Sequence, residues 1–260
     1  ARVAAAAVAG MLLDPFGVRV GSFVTSLGDV AATTPLHALD ADALHAMADA
    51  AEHDLVRAPD ADTSARMVGA VDAAKAAGET LGGTFCVFAT GVPAGLGSYA
   101  QWDRKLDGRL AQAICSIHAV KAVEIGPAFQ VSAMAGTTAQ DPIAAGADGS
   151  VGRGSNYAGG LEAGVTNGEP IVLRAAMKPL SSVRAELVSV DFATGQAVDP
   201  PYVRSDVTAV PAAAVVGEAM VRWVLADALT ERFGGDRLDT MLAARDATPG
   251  AVVPAPPVDA

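Results

Sequence analysis

The sequence is poor in positive charge. Its 260 residues carry 18 Lys and Arg against 29 Asp and Glu, which gives a formal net charge of −11. A protein that binds nucleic acid needs a basic surface to contact the phosphate backbone, and no basic stripe occurs in the sequence. We therefore expect no nucleic-acid partner, and any anionic ligand must be held by a few local cations.

Cysteines and metal-ligand spacings are scarce as well. The two cysteines, Cys86 and Cys115, both lie in apolar sequence, which predicts buried thiols in a reducing compartment. The four histidines have no metal-ligand spacing to either cysteine. The sequence thus predicts a cytoplasmic protein without a metal site.

Long uncharged apolar runs are also missing. The longest candidates, residues 1–13 and 211–229, are short or are interrupted by charged residues such as Arg222 and Asp227, so neither predicts a membrane span. The start lacks the polar cleavage region of a signal peptide. With 51% hydrophobic residues and a mean hydropathy of +0.34, we expect a compact globular protein that does not bind membranes.

The most informative stretch is residues 154–182, GSNYAGGLEAGVTNGEPIVLRAAMKPLSS. Its glycines permit positive φ and a close approach of backbone N–H groups to an anion, and an apolar strand then ends at Lys178. Pro179 fixes the following turn, and Ser181 and Ser182 offer hydroxyls to the group that Lys178 attracts. This chemistry suits a phosphate-bearing cofactor, whereas the competing interpretation is a glycine-rich hairpin turn without a ligand.

Arg204-Ser205-Asp206 adds a second cation and a carboxylate. In a strand, residues 204 and 206 point to the same face. Arg204 could hold an anionic group there, while Asp206 could accept a hydrogen bond or carry a proton. Alone the pattern is more typical of a solvated ion pair, but together with Lys178 it predicts a binding site.

The hydrophobic pattern mixes helices and strands without strict alternation, which favours an α+β fold. Helices are predicted at residues 1–13, from Thr63 or Ser64 to Gly78, and at 103–117, 211–233 and 236–245. Strands are predicted at residues 17–28, 85–90, 123–126 and before Lys178, and a hairpin is predicted to turn at 193–195.

Three segments are expected to lie outside this core. Residues 29–62 read as a surface excursion, and residues 133–155 read as a long active-site loop or lid. A single domain is expected at residues 1–245, followed by a disordered Pro/Ala tail at 246–260.

Two local features point to other functions. Residues 95–100, GLGSYA, match the letters of a dinucleotide-binding turn, which would indicate a nicotinamide-dependent reductase. The polar residues 101–105 and the missing ribose-binding acid argue against that interpretation. His118, at a helix end, is more typical of a partly buried histidine than of an acid–base group.

Several longer runs together resemble the chorismate synthase family. They are TLGG (80–83), GVPAGLGS with DRKLDGRLAQA (91–113), IHAVKAVEIG (117–126), SNYAGGLEAGVTNGEPI (155–171), AAMKPLSSV (175–183) and RSDVTAVPAA (204–213). The runs occur in the family's order and resemble its C-terminal two-thirds, whereas residues 29–70 match poorly. The resemblance implies a layered β-α-β sandwich, here incomplete because the family's N-terminal third is absent.

The resemblance also implies a shikimate-pathway enzyme of aromatic amino-acid biosynthesis. Such enzymes eliminate phosphate in a 1,4 sense from 5-enolpyruvylshikimate 3-phosphate to give chorismate, use reduced FMN, and form homotetramers. The family's flavin site falls here on His118, Ala119, Ala163, Lys178, Pro179, Leu180, Ser181, Ser182 and Arg204. Asp206 matches an aspartate that handles a proton at the flavin N5.

The departures from the family suggest an alternative. Ala163 replaces a usual glycine, and its methyl group is expected to crowd the cofactor or to shift the loop. The absent N-terminal third supplies much of the family's substrate site, so the alternative is a truncated relative that binds flavin without catalysis. The sequence leaves open whether NADPH or an external reductant reduces the flavin.

Overall fold

The computed structural model describes residues 1–145, 151–184, 187–199 and 203–248. Within these ranges the helices are α1 (Arg2–Leu13), α2 (Ala41–Glu52), α3 (Ala61–Ala77), α4 (Leu106–Cys115), α5 (Ala128–Val131), α6 (Gly136–Ala139), α7 (Val210–Phe233) and α8 (Leu238–Asp246). The strands are β1 (Arg19–Leu27), β2 (Val30–Ala31), β3 (Gly83–Thr90), β4 (Val120–Ile125), β5 (Ile143–Ala145), β6 (Val151–Arg153), β7 (Leu161–Glu162), β8 (Val165–Thr166), β9 (Ile171–Met177), β10 (Ser189–Val190) and β11 (Ala197–Val198).

An antiparallel sheet in the order β2-β1-β3-β9-β4 forms the centre of the fold. β9 lies between β3 and β4, and Met177 at its end pairs with Gly83 on one side and Val120 on the other. Both neighbours therefore bring their ends to the place where β9 ends, next to Lys178. This mixture of helices with an antiparallel sheet confirms the α+β prediction.

Helices α4 and α7 cover one face of the sheet, and α1 packs on α7. The core there combines the fully buried Phe85 of β3, Ile114 of α4 and Leu225 of α7. Gly217 lets α7 lie close to the sheet, because a Cβ added at this position would be 2.7 Å from a methyl carbon of Val87. The sheet and this helical layer are two layers of the expected sandwich.

Helix α2 covers part of the opposite face, so the prediction that residues 29–62 form a surface excursion was wrong for this helix. Leu44 and Ala51 of α2 are fully buried against Phe23 and Phe88 of the sheet. The sheet supplies the large side chains, so α2 needs only one leucine and small alanines to pack. An alanine-rich helix of this kind gives a weak sequence signal of burial.

The start of α3 was also assigned to the wrong residue. Asp60 is the N-cap, and its carboxylate accepts a hydrogen bond from the Thr63 backbone N–H (2.8 Å), which lowers the pKa of Asp60. The predicted end is confirmed, because Gly78 has a φ of 73° and closes the helix. The hairpin that turns at 193–195 is also confirmed by the pairing of β10 with β11.

The described parts of the segment 133–155, residues 133–145 and 151–155, have more structure than an open loop. They contain α6, and β5 pairs antiparallel with β6. Asp141 anchors this region, because its carboxylate accepts hydrogen bonds from the Ser155 hydroxyl and the Tyr157 and Ala158 N–H groups. Of the expected tail, Asp246 belongs to α8, and residues 249–260 lie outside the described residues.

Among the helices of the described segments, none is long and apolar enough to cross a bilayer.

Candidate functional site

The predicted site residues His118, Ala119 and Lys178 meet at one end of the sheet. β4 begins at Val120 and pairs there with Met177, so the residues that precede β4 lie beside the residue that follows β9. The Lys178 backbone N–H donates to the Ala119 carbonyl oxygen (2.9 Å). Lys178 and His118 are both exposed, so the expected partial burial of His118 was wrong. The helix end leaves this side chain in solvent.

The turn 178–182 is joined to the loop that carries Arg204 and Asp206. The Ser205 hydroxyl donates to the Ser182 carbonyl oxygen (3.0 Å). Arg204 and Asp206 are exposed, whereas Ser205 is half-buried between the two segments. In the described part of the chain, residues 204–206 form no strand, so the argument that they share a strand face was wrong. Their placement comes from single hydrogen bonds to neighbouring segments.

A cleft of about 750 Å³ opens beside these residues. Ser182, Arg204 and Asp206 line one side of it. The opposite side is formed by the end of α3 and the start of α7. Pro179, Leu180 and Ser181 lie in the adjoining turn, with Pro179 and Ser181 exposed and Leu180 half-buried.

The α3 side of the cleft was not found from the sequence. Asp72, Lys75 and Glu79 contribute charges of both signs, and Leu55 and Val71 contribute apolar surface. Asp72 and Lys75 lie on one face of α3, and Glu79 follows the end of the helix. The three residues match no motif and are typical of a solvated surface. Of these residues only Leu55 belongs to the supposed surface excursion at residues 29–62.

Ala163, between β7 and β8, is the predicted site residue that lies away from His118, Lys178 and Arg204. The next residue, Gly164, accepts a hydrogen bond from the Leu106 N–H (2.9 Å) at the start of α4. The ten residues of α4 span about 15 Å, and the chain reaches His118 only after the far end of this helix. Ala163 therefore does not join His118, Lys178 and Arg204 within one chain.

The glycine-rich loop uses its backbone groups internally, so the expected anion cradle was wrong for residues 159 and 160. The Gly160 N–H donates to the Asn156 side-chain oxygen (2.8 Å), and the Gly159 N–H donates to the Asn156 carbonyl (3.2 Å). A Cβ on Gly160 would be 2.6 Å from the Pro170 carbonyl oxygen. These glycines permit close packing of one backbone segment on another.

The turn at residues 95–97 is similarly occupied. The Gly95 N–H donates to the Thr166 carbonyl (2.8 Å), and the Leu96 N–H donates to the Thr166 hydroxyl (2.9 Å). A Cβ on Gly97 would be 2.7 Å from the Cβ of Leu106. The donors that a dinucleotide phosphate needs are bound to the β7–β8 hairpin, so the geometry argues against a nicotinamide-dependent reductase built on this turn.

The cysteines differ from each other. Cys86 is fully buried, and burial raises the pKa of its thiol to about 12. Cys115 is exposed on α4, so the prediction that both thiols are buried was wrong for Cys115. The described residues contain no group of three or more His, Cys, Asp and Glu side chains that could hold a metal ion.

The cleft has the groups that a phosphate-bearing aromatic cofactor requires. Lys75 and Arg204 supply positive charge, and the Ser182 region supplies a hydroxyl and backbone donors. Leu55, Val71 and Pro211 offer apolar surface for a ring. The cleft volume is within the usual range for small-molecule sites, so a flavin nucleotide fits the residues that are present.

Comparisons with known proteins identify the family. A family model described as chorismate synthase matches residues 1–230. The chorismate synthase of Rubrobacter xylanophilus is 50% identical over 243 residues, which cover 94% of this chain and 60% of the relative. That of Kocuria rhizophila is 49% identical over 253 residues, covering 94% and 58% of the two chains.

A solved structure agrees with these sequence matches. A crystal structure of chorismate synthase superposes with a TM-score of 0.81 at 40% identity, covering 94% of this chain and 66% of that chain. The present chain spans about 60% of the length of these curated relatives. It belongs to the chorismate synthase family.

Proposed function

We propose that this chain carries the flavin-binding and proton-handling part of a chorismate synthase. The reaction is a carbon–oxygen lyase step, the 1,4-elimination of phosphate from 5-enolpyruvylshikimate 3-phosphate to give chorismate, and it requires reduced FMN. The observation that supports this proposal is a chain of hydrogen bonds from the Lys178 N–H to Ala119 and from Ser205 to the Ser182 carbonyl, next to a cleft that Ser182 and Arg204–Asp206 line. His118, Ala119 and Lys178 adjoin these segments but are not part of the cleft lining. These segments are distant in sequence, and they carry cations, hydroxyls and a carboxylate.

Each group has a distinct role in the proposal. Lys178 and Arg204 bind anionic groups, and Ser181 and Ser182 add hydrogen bonds to them. His118 and Ala119 form the edge of the flavin site next to Lys178. Reduced FMN, when bound, supplies an electron transiently to the substrate.

Asp206 is proposed as the catalytic residue. Its exposed carboxylate lies on the cleft wall, where it would hold or release a proton next to the N5 position of a bound flavin. A carboxylate is suited to this role because it can hold and release a proton without moving the backbone. Arg204, two residues earlier, keeps a positive charge near the same wall.

A second candidate is that the described residues hold a partial flavin site and an incomplete substrate site, so that they bind FMN without turnover. The chain spans about 60% of the length of the curated relatives. A homotetramer, a cytoplasmic location and reduction of the flavin by NADPH or an external donor belong to the same family-based proposal.

An anaerobic assay with this chain, chemically reduced FMN and 5-enolpyruvylshikimate 3-phosphate tests both candidates. Chorismate formation that is lost in Asp206→Asn but kept in Asp236→Asn would support the full activity and contradict the incomplete substrate site. Asp236 is a suitable control because it is exposed between α7 and α8, away from the cleft. FMN binding without turnover would support the second candidate, and absence of both would overturn the proposal.

A further inference from the structure

The segment 78–83 connects the two halves of the candidate site. The Arg184 N–H donates to the Gly78 carbonyl (3.0 Å), and the Leu81 N–H donates to the Val207 carbonyl (2.7 Å). The segment is therefore bonded on one side to the chain that follows Lys178 and on the other side to the chain that follows Arg204. Residues 79–82 lie between α3 and β3, outside regular secondary structure.

Gly82 lets this segment pass directly against the turn. A Cβ at Gly82 would be 2.8 Å from the Pro179 nitrogen, a distance at which backbone atoms must shift. On the next residue, Gly83, a Cβ would be 2.9 Å from the carbonyl carbon of Ser26 in β1. The segment is thus confined between the end of β1 and the start of the turn.

Thr80 adds a side-chain hydrogen bond at this crossing. Its hydroxyl donates to the Leu180 carbonyl oxygen (2.6 Å), at the centre of the 178–182 turn. The residue is 9% exposed and borders the cleft. Loss of the donor would leave a part-buried carbonyl without this partner, and such a loss favours movement of the acceptor segment.

We propose that Thr80 is a positioning residue of the flavin site, because its hydroxyl holds the Leu180 carbonyl and so orients Lys178, Ser181 and Ser182. This inference rests on the proposed flavin-binding function. Thr80 acts through the turn, and its own hydroxyl is directed at a backbone carbonyl and not at a ligand. The hydrogen bond from the Ser205 hydroxyl to the Ser182 carbonyl then couples the position of the turn to the position of the loop that carries Arg204.

The test compares Thr80→Val with Thr80→Ser in the full chain. Valine keeps the shape of threonine but removes the donor, whereas serine keeps the hydroxyl. We expect the valine variant to bind FMN about tenfold more weakly, equivalent to ~1.4 kcal/mol, and the serine variant to bind nearly as tightly as the original chain. Quenching of flavin fluorescence measures the affinity.

Thr25→Val is the matched control. Thr25 is 8% exposed, and its hydroxyl lies 2.7 Å from that of Thr84, so the control also removes a buried hydroxyl bond. Thr25 faces the groove between α2 and β4, on the face of the sheet that α2 covers. A purely structural effect would lower the melting temperature in both valine variants and would weaken FMN binding in both or in neither.

Amide hydrogen exchange gives a second readout that needs no flavin. Thr80→Val is expected to speed exchange selectively at residues 178–184, and Thr25→Val is not. Unchanged exchange at residues 178–184 in Thr80→Val would overturn the positioning role. Failure of the original chain to bind FMN would contradict the proposed function, but the exchange experiment would still test the positioning role. Equal FMN affinities of Thr80→Val and the original chain would also overturn the positioning role of Thr80.

Discussion

The two ends of β9 differ in how the chain around them is used. At the Lys178 end, segments that are distant in sequence approach one another through a few single hydrogen bonds and leave a cleft of about 750 Å³. At the Ile171 end, the glycine-rich hairpin packs backbone against backbone and bonds its own donors. The sequence interpretation had joined both ends into one binding centre, although seven strand residues separate them by roughly 20 Å.

The glycines at the Ile171 end of β9 serve close packing of backbone segments and not ligand binding. Gly126 and Gly159 both have positive φ. A Cβ on Gly159 would collide with the Gly126 backbone nitrogen, and a Cβ on Gly126 would collide with the Tyr157 carbonyl oxygen. Their role is therefore close packing under the hairpin. The cleft end depends instead on exposed side chains, which can be exchanged with little effect on the fold.

The largest effect is expected at the packed end. Gly160→Ala combines a φ of 79° with a Cβ 2.6 Å from the Pro170 carbonyl oxygen, so we expect a loss of about 3–5 kcal/mol in the free energy of unfolding. Gly195→Ala is the control, because Gly195 has a φ of 69° but nothing within 4 Å of an added Cβ. It should lose only ~1–2 kcal/mol. Equal losses in urea unfolding would show that the close contact has no energetic weight.

The next effect is expected at the cleft end and in ligand affinity. Lys178→Ala and Arg204→Ala should each weaken FMN binding about tenfold to a hundredfold, since a charge-assisted hydrogen bond contributes roughly 1.5–3 kcal/mol. Both side chains are exposed, so the melting temperature should change little. Arg237→Ala, which removes an exposed ion pair with Asp239, serves as the control for loss of positive charge. If all three variants bind FMN equally, the cleft is not the flavin site.

Ala163→Gly tests whether the two ends are independent. Ala163 has a φ of 53°, and glycine relieves the strain of this left-handed conformation at some cost in chain entropy. We expect a gain of up to ~1 kcal/mol in stability and no change in FMN affinity. A severalfold change in affinity would contradict the independence of the two ends and would favour a hairpin supplied by a second copy in the proposed tetramer.

The sequence predicted the helices and strands better than their positions relative to one another in the fold. The apolar faces of α4 and β9 and the glycine that ends α3 were visible as periodicity and punctuation. The Lys178 turn and Arg204–Asp206 were found from their chemistry and from family resemblance. Their approach could not be derived from the sequence, because it depends on the register that places Val120 and Gly83 beside Met177.

The same reason explains why Ala163 and Lys178 lie apart within the chain. The family resemblance assigns both to the flavin site, but an extended strand places its two ends far apart. The α3 wall was missed because Asp72 and Lys75 resemble any exposed helix face and Glu79 follows the helix end without a motif. Only the fold, which brings the end of α3 and the start of α7 to the same cleft, gives that face a role.

The smallest expected effect is a pH dependence of the packed end. Arg153 donates two hydrogen bonds to the Glu162 carboxylate (3.0 and 2.9 Å), and these bonds hold the pKa of Glu162 below its usual value of 4.5. Near Arg153 the other facing carboxylates are those of Glu169 and Asp141. Because the folded pKa is depressed, the stabilisation is present above pH 4.5 and is lost as the pH falls through the folded value.

Glu162→Gln should therefore flatten part of the decline in unfolding free energy below pH 4.5. The carboxylate is partly exposed, so the difference should stay below ~1 kcal/mol. Urea unfolding at a series of pH values measures it, with Glu231→Gln as a control on the exposed ion pair between α4 and α7. An unchanged pH profile in Glu162→Gln would mean that the Arg153–Glu162 pair does not stabilise the hairpin, and that backbone packing alone holds this end of β9.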